Sequence, residues 1–283
     1  MENIKQTYTL ITGASEGLGK ALAIECAKRG MNLILVSLPG IELYQLASYI
    51  RRRYKVKVCE YETDISLEHN CLELWNTIKQ HHLSINMLIN NAGIGGTRQF
   101  DKTKIEVWQK HIQVNITGMV YLTHLLLPEL KRHSRSYILN VSSLAVFFYL
   151  PGKQVYGATK SFIYFFSKSL RRELKKDGVQ VSVLCPGGIN SNPAQYLMNY
   201  GSTWITKSSC MLPEVVAGIA IHDLLQGKET IIPGKWNNLF IYMDKVLPKF
   251  IKERLISKQV ISIRQQQAEA LMQGNLTAIK KTA

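Results

Sequence analysis

Short apolar runs recur along this chain up to about residue 234, each separated from the next by a longer stretch with helical periodicity. Strands are expected at Tyr8–Ile11, Asn32–Val36, Val56–Tyr61, Met87–Asn90, Tyr137–Val141, Val179–Leu184 and Thr230–Ile232. Helices are expected near Leu18–Arg29, Ile41–Arg53, Leu67–Gln80, Lys104–Lys131, Val155–Lys176 and Pro213–Leu225. Strand, helix and strand in this rhythm build right-handed βαβ units, because parallel neighbours need a crossover. The runs are continuous rather than alternating (LILV, MLI, VSVL), as suits strands covered on both faces. The expected fold is α/β, a doubly wound parallel sheet in a single domain over residues 1–234.

Two stretches break the rhythm. Residues 189–212 follow the sixth strand with a polar beginning (INSNPAQ) and then turn apolar and aromatic. Ligands bind beyond the carboxyl ends of the strands in open α/β sheets, so this insertion is expected to act as a lid. The second stretch is a C-terminal extension, residues 235–283. Nine Lys/Arg against three Asp/Glu give it a net charge of +6. Leu239, Phe240, Met243, Val246 and Leu247 fall at helical spacing, and Phe250, Ile251, Leu255, Ile256 and Ile263 continue beyond Pro248. Lys245, Lys249, Lys252, Arg254, Lys258 and Arg264 interleave with them. Two readings stand: a helix pair that covers the cleft or a neighbouring subunit, or a basic amphipathic element lying on an anionic membrane.

With 283 residues, 46% of them hydrophobic, the chain can bury a sizeable core. The net charge of +15 points to an acidic neighbour. No zinc-ligand set or ladder of aromatic and basic residues marks a nucleic-acid reader, so none is expected as a partner. Cys26, Cys59, Cys71, Cys185 and Cys210 lack metal-ligand and disulfide spacing, which suits reduced thiols in a cytoplasmic protein without a metal. No signal-peptide pattern is visible, and no run approaches the roughly 18 apolar residues of a membrane span.

TGASEGLGK follows the first strand directly, with Gly13, Gly17 and Gly19 opening a helix. Glycines there permit a tight turn and let a pyrophosphate approach free N–H groups at a helix N-terminus. A glycine-rich β–α turn is common on its own; its place after the first strand, with a second strand roughly twenty residues on, points to a dinucleotide. The second strand closes with Ser37-Leu38-Pro39 and no carboxylate for ribose hydroxyls, which argues against strict NAD(H) use. No basic partner for a 2′-phosphate stands there either, and Glu16 would repel one. NADP(H) is expected over NAD(H).

VYGATK places Tyr156 and Lys160 one turn apart on one helix face. Such a pair is either an exposed surface feature or an acid whose pKa a fixed cation lowers. Gly157 and Ala158 keep the intervening surface low. The seven histidines form no constellation.

Together these pieces resemble the short-chain dehydrogenase/reductase superfamily over about residues 5–234. TGASEGLG, with Gly13, Ser15, Glu16, Gly17, Leu18 and Gly19, looks like its cofactor loop, and Ser37 and Leu38 hold the ribose position. Asp64-Ile65 looks like the adenine contact, and Asn90-Asn91-Ala92-Gly93 like the NNAG motif. Asn115 in VNITG, Ser143 in NVSSLA, and Tyr156 with Lys160 look like the catalytic tetrad. Pro186-Gly187 looks like the PG motif, which adds Ile189 and Ser191 to the cofactor residues. Where many NADP-preferring relatives have an arginine, this chain has Leu38. Within the superfamily the resemblance leans to steroid and 3-oxoacyl reductases and related bacterial oxidoreductases.

The resemblance implies roles. Tyr156 is the general acid/base, and Lys160 lowers its pKa and holds the nicotinamide ribose. Ser143 stabilises the carbonyl oxygen, and the Asn115 backbone carbonyl holds a relay water. It also implies pairing of the Lys104–Lys131 and Val155–Lys176 helices in a homodimer or homotetramer. Val120, Leu122, Leu125, Leu126, Phe162, Phe165 and Phe166 would supply the apolar surface. The expected activity is NADPH-dependent reduction of a carbonyl on a fairly apolar small-molecule or acyl substrate. The alternatives are a reductase of 3-oxoacyl thioesters on acyl carrier protein or CoA, and a nucleotide-binding scaffold without turnover.

Overall fold

The computed structural model describes residues 7–190 and 204–246. Seven strands form one parallel sheet: β1 (Thr7–Thr12), β2 (Asn32–Ser37), β3 (Val58–Glu62), β4 (Ser84–Asn90), β5 (Ser136–Val141), β6 (Val179–Leu184) and β7 (Thr230–Ile231). Their spatial order is β3-β2-β1-β4-β5-β6-β7. The winding direction reverses between β1 and β4, which opens a crevice above their carboxyl ends.

The helices are α1 (Gly17–Lys28), α2 (Ile41–Tyr54), α3 (Glu68–Gln80), α4 (Ile105–Ile112), α5 (Gly118–Leu130), α6 (Gln154–Glu173), α7 (Trp204–Ser209), α8 (Pro213–Leu225) and α9 (Lys235–Val246). Side chains alternate across each strand, so both sheet faces have their own core. Ile11, Leu33, Leu35, Ile89 and Leu139 face a cluster with Leu22 and Cys26 of α1, Leu46 and Ile50 of α2, and Ala220 and Ile221 of α8. Leu10, Ile34, Leu88, Ile138 and Val181 face the other, with Leu74 and Ile78 of α3, Leu122 and Leu126 of α5, and Leu170 of α6. This double burial makes the runs LILV and VSVL apolar without alternation.

The long helix expected over 104–131 is three pieces. Between α4 and α5 the backbone widens into a π-turn, Gln113–Thr117, where the Gly118 N–H reaches back to the Gln113 carbonyl. The helix expected to reach Lys176 gives way after Glu173 to a 3₁₀ turn, Leu174–Asp177, which ends at left-handed Gly178. Of the expected lid, Ile189 pairs with Met211 across an isolated bridge. Its residues 191–203, including Ser191, lie outside the described residues, as does the extension from residue 247. The chain divides into two compact units, residues 1–238 and 239–283, with the boundary inside α9. Among the described residues no helix is long and apolar enough to cross a membrane, and no group of His, Cys, Asp and Glu could hold a metal ion. The five cysteines are free thiols.

Candidate active site

Thr12 ends β1, and the turn after it can exist only with glycine. Gly13 sits at φ +62°, and a Cβ there would lie 2.8 Å from the Ala92 Cα. A Cβ on Gly19 would lie 1.9 Å from the Gly13 carbonyl oxygen. The turn is bolted to the one after β4. The Thr12 hydroxyl accepts the Asn91 and Ala92 N–H groups, each at 3.1 Å, while Asn91 Nδ2 donates to the Thr12 and Gly13 carbonyls, each at 3.0 Å. Helix α1 then starts behind Glu16, which makes no side-chain cap, and has no acid in its first turn. Its first N–H groups therefore face the crevice without an internal anion, which fits a pyrophosphate. Sequence reasoning passed over Thr12; a hydroxyl closing an apolar strand just before the glycine turn is the signal that marks it.

At the far end of the crevice Ser37 is buried and donates to the Leu38 carbonyl at 2.9 Å. The Leu38 side chain is 60% exposed. The second strand itself carries no acid, but Glu62 of β3 is the register partner of Ser37, and its carboxylate accepts the Gly40 N–H at 2.9 Å. A carboxylate therefore already occupies the N-terminus of α2. Sequence reasoning missed it because β3 is a spatial and not a sequential neighbour of the β2 terminus.

Asp64 accepts the Ser66 N–H at 3.0 Å and the Lys110 ammonium at 2.9 Å. Burial alone would raise its pKa; the Ser66 and Lys110 contacts outweigh it and the net displacement is downward. The side chain thus locks the β3–α3 loop onto α4. Ile65 is buried beside it, its carbonyl pressed so close to Gly118 that a Cβ there would lie 2.3 Å from the oxygen.

The four expected catalytic residues converge above β4 and β5. The Ser143 hydroxyl accepts the Ala145 N–H at 3.1 Å and stands near enough to the Tyr156 phenol to favour its ionised form. Ser142, its neighbour, instead spends its hydroxyl on the Lys160 carbonyl at 2.7 Å and is buried, so geometry selects Ser143. Lys160 Nζ donates to the Val141 carbonyl at 2.9 Å and lies 5.9 Å from the Tyr156 ring centre. The Asn115 side chain accepts the Ile94 N–H at 2.8 Å and donates to the Ile94 carbonyl and the Thr159 hydroxyl, both at 3.0 Å. It thereby pins the π-turn to the NNAG loop and to α6. A Cβ placed at Gly93 would fall 3.2 Å from both Asn115 Oδ1 and Lys160 Nζ, so Gly93 keeps that space open. At Gly157 a Cβ would meet nothing within 4 Å. The Pro186 carbonyl accepts the Leu144 N–H at 2.8 Å, which ties the end of β6 to the Ser143 turn. A Cβ at Gly187 would lie 2.3 Å from the Ser209 carbonyl, so the PG turn packs directly on α7.

One expectation is corrected. Lys160 was to lower the Tyr156 pKa, yet the phenol is displaced upward: burial raises it, and the Ser143 hydroxyl offsets only part of that. The ammonium is bound to a backbone carbonyl rather than to the phenol, so desolvation dominates. Burial also pushes the Lys160 ammonium down to about 8.

The sequence profile of the short chain dehydrogenase family matches residues 7–199. Mouse 17-beta-hydroxysteroid dehydrogenase type 3 is 34% identical over 197 residues, covering 68% of this chain and 63% of that protein. Mouse very-long-chain 3-oxoacyl-CoA reductase is 28% identical over 267 residues, covering 89% of this chain and 83% of that protein. A solved short-chain dehydrogenase from Sphingobium yanoikuyae in complex with NADPH matches at TM-score 0.72 and 26% identity, covering 85% of this chain and 94% of that one. With a family profile spanning more than half its length, laid over a seven-stranded doubly wound sheet, the chain belongs to the short chain dehydrogenase family of oxidoreductases.

Proposed function

We propose that the chain reduces the carbonyl of a fairly apolar substrate, using NADPH with a small margin over NADH. The observation that carries this reading is the convergence of the Ser143 hydroxyl, the Tyr156 phenol and the Lys160 ammonium beside the glycine turn. The Gly13–Gly19 turn and α1 would hold the pyrophosphate, Ser37 and Leu38 the adenosine ribose, and Asp64 and Ile65 the adenine edge. Asn91, Ala92, Gly93 and Lys160 would hold the nicotinamide half, together with Pro186, Gly187 and Ile189. A reduced nicotinamide bound there supplies the hydride.

The chain supplies the proton and the orientation. Ser143 donates to the substrate oxygen and stabilises the negative charge that develops on it. Tyr156 transfers its phenolic proton to that oxygen. A phenol held above its ordinary value is protonated at neutral pH, which suits the acid role and the reductive direction. Lys160, with a pKa of about 8, exchanges protons with solvent near neutrality and can return one to Tyr156. Asn115 fixes the wall on which that relay would run. The half-buried Phe147, Phe148 and Leu150, between Ser143 and Tyr156, support an apolar substrate.

A second reading keeps this chemistry on a 3-oxoacyl thioester, supported by the named activity of the 28% identical relative and by the net charge of +15, which suits an acidic carrier. NADPH consumption measured against ketones, aldehydes and 3-oxoacyl thioesters tests both. Turnover of hydrophobic ketones over thioesters supports the first reading. Cofactor binding without turnover of any carbonyl overturns both.

A further inference from the structure

Lys153 is a cation that the tetrad does not use. It stands just before α6, half-buried, with its ammonium 5.0 Å from the centre of the Tyr156 ring and thus nearer than Lys160. Among the described residues no carboxylate, carbonyl or hydroxyl accepts a hydrogen bond from it. Its position opposes stability on two counts. Burial strips water from the ammonium and lowers its pKa. A cation at a helix N-terminus also opposes the helix dipole, and α6 has no acid in its first turn to compensate. The Tyr156 ring face offers partial compensation only. Ser143, Lys160 and Gly95 stand close to the phenol, and among the described residues no carboxylate pairs with this ammonium.

We infer that Lys153 is a specificity-determining residue that pairs with an anionic group, a carboxylate or phosphate, carried by the substrate a few bonds from its reacting carbonyl. The inference rests on the carbonyl-reductase reading and narrows its substrate class. The substrate combines an apolar body, lying against Phe147 and Phe148, with one anionic group beside the tyrosine. The nicotinamide and the tetrad need no such cation, and the half-buried charge is matched only when substrate arrives.

The test uses the full chain with a series of oxo-carboxylates, whose carbonyl and carboxylate are separated by a graded number of carbons, and their methyl esters. The wild type is expected to favour the acid over the ester at one spacing. In Lys153→Met the acid-to-ester ratio of kcat/KM should fall roughly 10–100-fold, the scale of one charge-assisted hydrogen bond, with the change mainly in KM. Lys153→Arg should restore most of the ratio. Calorimetric binding of the unreactive hydroxy-carboxylate should weaken in parallel in Lys153→Met. A wild type that reduces esters and not acids leaves the reductase reading standing and overturns this inference. So does a Lys153→Met variant that loses acid and ester turnover equally, with a shifted pH profile, since Lys153 would then act on the phenol. A wild type that reduces neither, yet turns over uncharged ketones, overturns this inference and leaves the reductase reading standing; one that reduces no carbonyl of any kind removes both readings.

Discussion

Lys160 presents an ammonium, 5% exposed, to the Val141 carbonyl and to no carboxylate among the described residues. Burial lowers its pKa from 10.5 to about 8. Between those values the unfolded chain binds the proton and the folded chain does not, so on this group's account stability rises with pH across that window. Below about pH 8 both states are charged and the full desolvation cost is present. Lys160→Met should therefore be more stable than wild type at neutral pH, by about 1–3 kcal/mol, while losing activity. Denaturant melts at neutral and alkaline pH check this, and a Met variant less stable than wild type at pH 7 would contradict it. Tyr156→Phe makes the complementary case. It removes the phenolic proton and the oxygen that faces Ser143 but keeps the ring face that both lysines approach. Its kcat should fall ~10²–10⁴-fold with NADPH affinity nearly unchanged. Retention of more than about a tenth of wild-type kcat, well short of that range, would take the acid role away from Tyr156.

Elements whose burial is local were legible in the sequence, and elements shaped by distant partners were not. The strands could be read because Leu10 and Ile11, adjacent in sequence, enter opposite cores, and that double burial leaves an unbroken apolar run. That Asn115, Ser143, Tyr156 and Lys160 come together could be read because their motifs and spacing survive in one dimension. The π-turn could not: Asn115 is tied to Ile94 and Thr159, 21 and 44 residues away, and no local pattern announces those bonds. The upward displacement of the Tyr156 phenol was hidden too, since burial depends on the assembled walls. Glu62 belongs with these, and it bears on cofactor choice at the β2–β3 edge. Its carboxylate on the Gly40 N–H places negative charge where a 2′-phosphate would seek a helix N-terminus. Wild type should bind NADPH only slightly better than NADH. Glu62→Gln keeps an acceptor for Gly40 and removes the charge, so it should raise the NADPH-to-NADH affinity ratio roughly 3–10-fold. Leu38→Arg should widen the margin further and Ser37→Asp should reverse it. Fluorescence titration of both cofactors measures each ratio. An unchanged ratio in Glu62→Gln clears that carboxylate of any part in the choice.

At the scale of the whole molecule, one exposed apolar patch and one basic stretch of sequence bear on partners. Leu122 and Leu126, expected to help form a subunit contact, belong instead to the core. Phe165 at 76% exposure and Ile105 at 61% remain outside, and a dimer through them should sediment as such at micromolar concentration and dissociate in Phe165→Glu. The basic stretch is the C-terminal extension. From Leu239 to Ala283 eight Lys/Arg stand against three Asp/Glu, a net of +5. Its apolar positions recur at helical spacing between those cations, which supports membrane apposition at roughly 1 kcal/mol per basic residue in addition to apolar burial. A truncation that tests this must respect the first unit. Asn237 is buried and donates to the Pro233 carbonyl at 2.7 Å, and Asn238 donates to the Ile232 carbonyl at 3.0 Å. A cut at Gly234 would remove both anchors and confuse loss of fold with loss of the extension, whereas a chain ending at Asn238 keeps them. If the extension is a membrane element, that chain stays folded, reduces water-soluble carbonyls as well as the full chain does, and no longer co-sediments with phosphatidylserine vesicles at low salt. If it covers the cleft, the shortened chain loses substrate affinity in the absence of lipid. Full-length protein that ignores such vesicles at low salt removes the membrane reading and leaves the cover.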